Sequence, residues 1–259
     1  SRFGSSVIFA AYFSMDTVSP ANPVNPASPT AALIFLHGSG ANGESMADLL
    51  KRVSGSTFLK RLRQAGIMPV FPSAPPIPYT LMGGRLICVW FDRSALTPEA
   101  PEDSAGVSRA LSNIDETIKQ IVASKGIPPS RIGIAGFSMG GSMALHVGYG
   151  SGRYSGTLGM VATLSSFLAH ESDVYAAAEK RARRKDSTLC CSCWSALLGK
   201  SSHPITSAPL FMAVGTADEK FNWKFAEDTR AKLSSVGVAA PPEVKLYAGM
   251  GHDVCPQEL

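Results

Sequence analysis

Three side chains of this sequence have the types and the order that nucleophilic acyl transfer uses. Ser138 stands in Gly136-Phe137-Ser138-Met139-Gly140, Asp218 in Gly215-Thr216-Ala217-Asp218, and His252 in Gly249-Met250-Gly251-His252. A serine hydroxyl is a weak nucleophile until a base takes its proton. An imidazole serves as that base when a carboxylate fixes its tautomer and stabilises the imidazolium that forms. Glu219 is the rival acid. His146, His170 and His203 are poorer bases, the first falling inside a helix-like run and the others preceding the strand that leads to the acid. G-x-S-x-G alone carries little weight in a chain with 24 glycines; the elements around it must supply the rest.

Those elements are consistent with an elbow. The apolar run Arg131-Ile132-Gly133-Ile134-Ala135 predicts a buried strand, and Gly141 to Val147 predicts a helix. A strand that becomes a helix within two or three residues forces the residue between them into a disfavoured backbone conformation. Neighbours without a Cβ allow the two elements to approach. A second strand, Ala31 to Leu36, ends in His37-Gly38-Ser39-Gly40-Ala41-Asn42-Gly43. Neither dinucleotide nor P-loop spacing fits this glycine-rich turn. It suits half of an oxyanion hole, the residue after the nucleophile, Met139, supplying the other N–H; a tight turn without a ligand is the plain alternative, and His37 is expected to be structural. Strands at Ile67 to Phe71, Leu158 to Leu164, Leu210 to Val214 and Val244 to Tyr247 alternate with helices. The helices span Met46 to Gln64 with a break at Gly55, a face marked by Val107, Leu111, Ile114, Ile118, Ile121 and Val122 that ends at Gly126, and Asn222 to Ser235. That alternation predicts an α/β fold with a mostly parallel central sheet and helices on both faces. Ser138, Asp218 and His252 each follow a different strand, in the order an α/β-hydrolase uses.

Composition restricts the alternatives. A chain of 259 residues, 45% apolar, suits one large domain over 31–259, preceded by an N-terminal strand and proline-rich connector over 1–30. The formal charge is +4, of which Glu179 to Asp186 contributes +3, so the remaining 251 residues carry no general basic surface for nucleic acid. Five cysteines, three of them in Cys190-Cys191-Ser192-Cys193, form no disulfide framework, and a cytoplasmic, reducing location is expected. Val7 to Phe13 has the length of a signal-peptide core but fits an edge strand better. Pro20, Pro23, Pro26 and Pro29 have polyproline II spacing, which suits a stiff connector or a PxxP ligand.

From Ala31 to His252 the chain resembles the acyl-protein thioesterase and lysophospholipase-like α/β-hydrolases. The resemblance rests on Leu36-His37-Gly38-Ser39-Gly40, Ser73-Ala74-Pro75-Pro76 with Tyr79-Thr80, Val89-Trp90-Phe91-Asp92-Arg93, Gly136 to Gly141, Leu164-Ser165-Ser166-Phe167-Leu168, and Gly215 to Glu219. Met139 and the Ser-Ser-Phe-Leu run are similar to the lysophospholipase-like branch. The resemblance implies a triad of Ser138, Asp218 and His252, oxyanion donors at the backbone N–H groups of Ser39 and Met139, and acyl thioester or ester substrates, protein-linked or small. Leu81, Met82, Trp90, Phe167 and Leu168 are the candidate groove residues for an acyl chain, each buried methylene contributing ~0.8 kcal/mol. No metal or organic cofactor is required.

Two features depart from the family. The chain ends seven residues after His252, where these hydrolases carry a terminal helix that Val254 to Leu259 would begin. The segment 172–209 is longer than its family counterpart and joins the basic cluster Lys180 to Lys185 to Cys190-Cys191-Ser192-Cys193-Trp194. It suits a solvated insertion, or a peripheral membrane contact with palmitoylation of Cys190, Cys191 or Cys193. Zinc held by those cysteines and His203 is a third reading, with unfavourable spacing. Among functions, a thioesterase leads, followed by a carboxylesterase or lysophospholipase. A catalytically idle hydrolase fold that binds a membrane or a partner stands apart from both.

Overall fold

The computed structural model describes residues 28–189 and 208–259. Val7 to Phe13, the prolines at 20, 23 and 26, Cys190 to Trp194 and His203 lie outside the described residues.

Among the described residues, six strands form one parallel sheet in the order β2-β1-β5-β6-β7-β8. They are β1 (Ala31–Leu36), β2 (Ile67–Val70), β5 (Ile132–Phe137), β6 (Met160–Leu164), β7 (Leu210–Gly215) and β8 (Lys245–Tyr247). Strand β1 is buried at every residue, as its unbroken apolar sequence requires of a central parallel strand. Its side chains alternate between two cores. Ala32, Ile34 and Leu36 join one face, and Ala31, Leu33 and Phe35 the other.

Helices cover both faces. The first core is closed by α3 (Ser104–Lys125), α4 (Met139–Tyr149), α5 (Asp173–Leu189) and α6 (Lys224–Ser235). The second is closed by α1 (Gly43–Ser54) and α2 (Thr57–Gln64), with Val254 beside them. The break expected at Gly55 is a left-handed cap, φ 57°, that ends α1. Gly126 ends α3 in the same way, φ 68°. Helix α4 is buried along its whole length between sheet and neighbouring helices, which accounts for its nearly unbroken run of small and apolar residues.

A hairpin of β3 (Pro76–Tyr79) and β4 (Arg85–Cys88) stands beside the sheet and was not expected from periodicity. Pro76 and Pro78 hide a strand from pattern reading, whereas Gly83-Gly84, both with positive φ, was a usable turn signal. The basic cluster is helical, within α5, with Arg183 bonded to Glu179 one turn away. Residues 254–259 contain one 3-10 turn, Pro256–Glu258, rather than the start of an α-helix.

Candidate active site

Ser138 sits between β5 and α4 with φ 55° and ψ −123°, the strained conformation expected at the elbow. Two close approaches explain its flanking glycines. A Cβ on Gly136 would lie 2.1 Å from the Gly140 carbonyl oxygen, and a Cβ on Gly140 would lie 2.3 Å from that of Leu36. The Ser138 N–H donates to the Leu164 carbonyl at 2.9 Å, tying the elbow to β6. Its hydroxyl stands at the N-terminus of α4, where the unpaired N–H groups of the first turn favour negative charge.

His252 Nε2 lies 3.0 Å from Ser138 Oγ, and His252 Nδ1 lies 2.8 Å from Asp218 Oδ2. The Asp218 side chain is fully buried and the imidazole is 11% exposed. The other carboxylate oxygen, Oδ1, accepts from the N–H groups of Lys220 and Phe221 at 2.9 and 3.3 Å. The imidazole packs between the rings of Phe137 and Phe221, at centroid distances of 5.0 and 5.5 Å. Glu219, the rival acid, accepts the backbone N–H of His252 at 2.9 Å instead of its ring. That bond holds the Glu219 carboxyl below its ordinary range.

The loop after β7 grips the loop after β8 residue by residue. Thr216 donates its N–H to the Tyr247 carbonyl and accepts from Gly249 N–H at its hydroxyl, and Ala217 donates to the Met250 carbonyl. Asp218 and Glu219 then take the ring and the backbone of His252. The His252 imidazole and the Asp218 carboxylate are therefore held as one unit across a strand boundary.

His37 has both ring nitrogens occupied. Nε2 accepts the Ala74 N–H at 2.9 Å, so Nδ1 carries the proton and donates to the Gly38 carbonyl at 2.8 Å. Burial lowers its pKa, and the Gly38 bond offsets only part of that. The neutral ring shapes the turn that presents Ser39. Gly38 packs against Ser138, since a Cβ there would be 3.2 Å from the serine Cβ. Ser39 reaches Met139 through a 3.6 Å hydroxyl–sulfur contact. The backbone N–H groups of Ser39 and Met139 donate to no described residue.

A cleft of about 560 Å³ opens over Ser138, with Leu81, Met82, Phe167 and His252 in its walls. Trp90 and Leu168 do not line it. The Trp90 Nε1–H donates to the His37 carbonyl at 2.8 Å, and its ring packs on His37 and faces a separate cavity of about 270 Å³ between the hairpin and α3. Leu168 is buried, its N–H donating to the Thr229 hydroxyl at 3.0 Å. Met46 and Leu49 of α1, with Phe137, Phe221 and Arg93, line the cleft and escaped the sequence reading. Phe221, three residues past the acid, was within reach of that reading; the α1 side chains become visible as cleft wall only once the helix is docked. His146 faces away, its Nε2 lying 3.0 Å from Glu102 Oε1 in a buried pair. Among the described residues no group of His, Cys, Asp or Glu is arranged to hold a metal.

Residues 21–184 match the family model described as Phospholipase/Carboxylesterase. The chain belongs to this family. The matched span contains Ser138 and ends before Asp218 and His252. Lysophospholipase-like protein 1 of Mus musculus is 34% identical over 214 residues, covering 81% of this chain and 75% of its own length. Acyl-protein thioesterase 1 of Neurospora crassa is 30% identical over 235 residues, covering 89% and 83%. The crystal structure of Arabidopsis thaliana SOBER1 superposes with a TM-score of 0.66 at 23% identity, covering 88% of this chain and 93% of its own, a likeness of fold. As a member of the phospholipase/carboxylesterase family the chain is a serine hydrolase with the α/β-hydrolase fold.

Proposed function

We propose that the protein hydrolyses acyl thioesters or esters through Ser138, with His252 as base and Asp218 as the orienting acid. The carrying observation is the unbroken relay of 3.0 and 2.8 Å from Ser138 Oγ through His252 to Asp218. His252 takes the hydroxyl proton as Ser138 Oγ attacks the carbonyl carbon, and the negative charge forms on the carbonyl oxygen. The N–H groups of Ser39 and Met139, unpaired among the described residues, are the donors offered to that oxyanion. Imidazolium then protonates the leaving thiolate or alkoxide. A water activated by His252 attacks the acyl-enzyme, releasing the acid and restoring the serine.

A depalmitoylating thioesterase is the leading assignment. It is supported by the apolar wall of Met46, Leu49, Leu81, Met82 and Phe167 beside Ser138, and by similarity to a protein named acyl-protein thioesterase. Similarity to a protein named lysophospholipase-like favours small lipid esters as the second reading. Fluorophosphonate labelling tests the nucleophile: wild type is modified and Ser138→Ala is not. Turnover of p-nitrophenyl esters of increasing chain length tests the substrate. Activity sustained to long chains is expected, and a steep fall beyond short ones removes the depalmitoylase assignment.

Peripheral membrane contact belongs to the same proposal. Lys180, Arg183 and Arg184 are exposed on α5, immediately before the cysteine-rich segment. Sedimentation with anionic vesicles, compared with neutral ones, checks it.

A further inference from the structure

The cleft over Ser138 is lined by three cations, Arg52, Arg93 and Lys220, and by no Asp or Glu among the described residues. Arg52 and Lys220 are exposed at its rim, where solvent and salt screen them. Arg93 is different. Its guanidinium lies over the rings of Phe91 and Phe167, 5.2 and 4.8 Å from their centroids. Among the described residues only Nη2 is engaged, donating to Ser142 Oγ at 2.8 Å and to the Phe167 carbonyl at 3.4 Å.

A guanidinium has five N–H donors. Those on Nε and Nη1 of Arg93 donate to no described residue. None of its nitrogens is among the sealed, unpartnered polar atoms, so the open donors face space that solvent reaches. Glu102 acts on Arg93 through space but makes no ion pair with it, being engaged by His146 and the Asp173 N–H. Burial lowers the Arg93 pKa to about 10, which leaves it cationic at neutral pH. A partly desolvated cation with no carboxylate partner and unused donors is poorly compensated by the protein alone. A planar anion supplies what is lacking, and the two rings hold the fork ready for it.

We propose that the cleft takes acyl esters or thioesters bearing a second, anionic group such as a carboxylate, and that Arg93 receives that group. The proposal rests on Ser138 being the nucleophile and adds a substrate class to that reading. Residues Ser142, Ser166 and Phe167 fix the direction of the fork. Ser142 Oγ lies 3.0 Å from Ser166 Oγ and donates to the Phe167 carbonyl at 2.7 Å, and the Ser142 N–H reaches back to the Ser138 carbonyl at 3.3 Å. Arg93 is thus tied to the same turn of helix as the reacting hydroxyl.

Paired substrates test this. p-Nitrophenyl hydrogen adipate against p-nitrophenyl hexanoate places the charge on the acyl side; 4-acetoxybenzoate against 4-acetoxybenzamide places it on the leaving group. In one of the two arms kcat/KM is expected to favour the anion by at least about tenfold, as a charge-assisted bond allows. The preference is expected to persist as ionic strength rises, because the partly buried Arg93 is screened less than the rim cations, to vanish in Arg93→Gln and to return in part in Arg93→Lys. No preference in either arm overturns the proposal, as does a preference that survives Arg93→Gln. The salt series on wild type needs no variant: a preference that salt abolishes belongs to the exposed Arg52 and Lys220 and overturns the proposal, so a misfolded Arg93→Gln leaves the test intact. Turnover of neutral esters without anion preference overturns this inference alone. Absence of all turnover, with Ser138 unlabelled, removes the hydrolase assignment as well.

Discussion

Asp218 and Glu219 are neighbours in sequence and hold the same histidine by different atoms. Asp218 takes the imidazole Nδ1, and Glu219 takes the main-chain N–H. Their substitutions should therefore separate. Asp218→Asn permits the wrong tautomer and is expected to lower kcat by about four orders of magnitude. Glu219→Gln keeps an oxygen acceptor for the His252 N–H and should retain most activity. Glu219→Ala is expected to lower kcat roughly tenfold with KM little changed, because the base is displaced while the cleft is not. Steady-state kinetics on the three variants checks the ranking, and a Glu219→Ala loss equal to that of Asp218→Asn would reverse the two roles. From the sequence, the type and order of Ser138, Asp218 and His252 were legible. The choice between two adjacent carboxylates was not, because it depends on which way each side chain leaves the loop.

At the scale of elements, the parallel sheet was legible because buried strands such as β1 and β7 are continuous apolar runs bounded by turn residues. The β3–β4 hairpin was not, since its prolines erase the alternation. That gap explains the placement of Trp90, which sits against the turn carrying Ser39 rather than in the cleft. Trp90→Phe leaves the His37 carbonyl without its indole donor and is expected to destabilise the protein by about 1–3 kcal/mol, read from denaturant midpoints. Leu168 is buried in the core for a related reason: a loop residue near Ser138 can point between sheet and helices, and only packing decides. Gly136→Ala forces a Cβ against the Gly140 carbonyl at 2.1 Å. A loss of about 3 kcal/mol is expected, together with loss of fluorophosphonate labelling as the elbow opens.

Across the whole molecule, the loss of stability as pH rises to neutrality and above should carry a contribution from Glu258, near the last described residue. Glu258 is 3% exposed; burial pushes its carboxyl up to about 7, and Oε1 has no partner among the described residues. A raised carboxyl pKa in the folded state means that folding favours the protonated form. Its contribution is most favourable below the ordinary carboxylate range and is lost as pH rises through about 7. Glu258→Gln is therefore expected to raise Tm at about pH 8 and to change it little at about pH 5, the difference reflecting up to about 3 kcal/mol. A constant offset across that range would remove Glu258 from the account.

Among the described residues, strand β8 has three residues and pairs with β7 alone, at the border of the sheet. Ser138, by contrast, leaves β5, which has partners on both sides. The two halves of the relay are thus anchored in regions of unequal tenacity, and border strands detach at a lower free energy than interior ones. Titration with urea should extinguish turnover before the far-ultraviolet circular dichroism changes, a stage at which the enzyme is silent while most of its architecture persists. Dilution during that stage should restore activity at once, with no refolding delay.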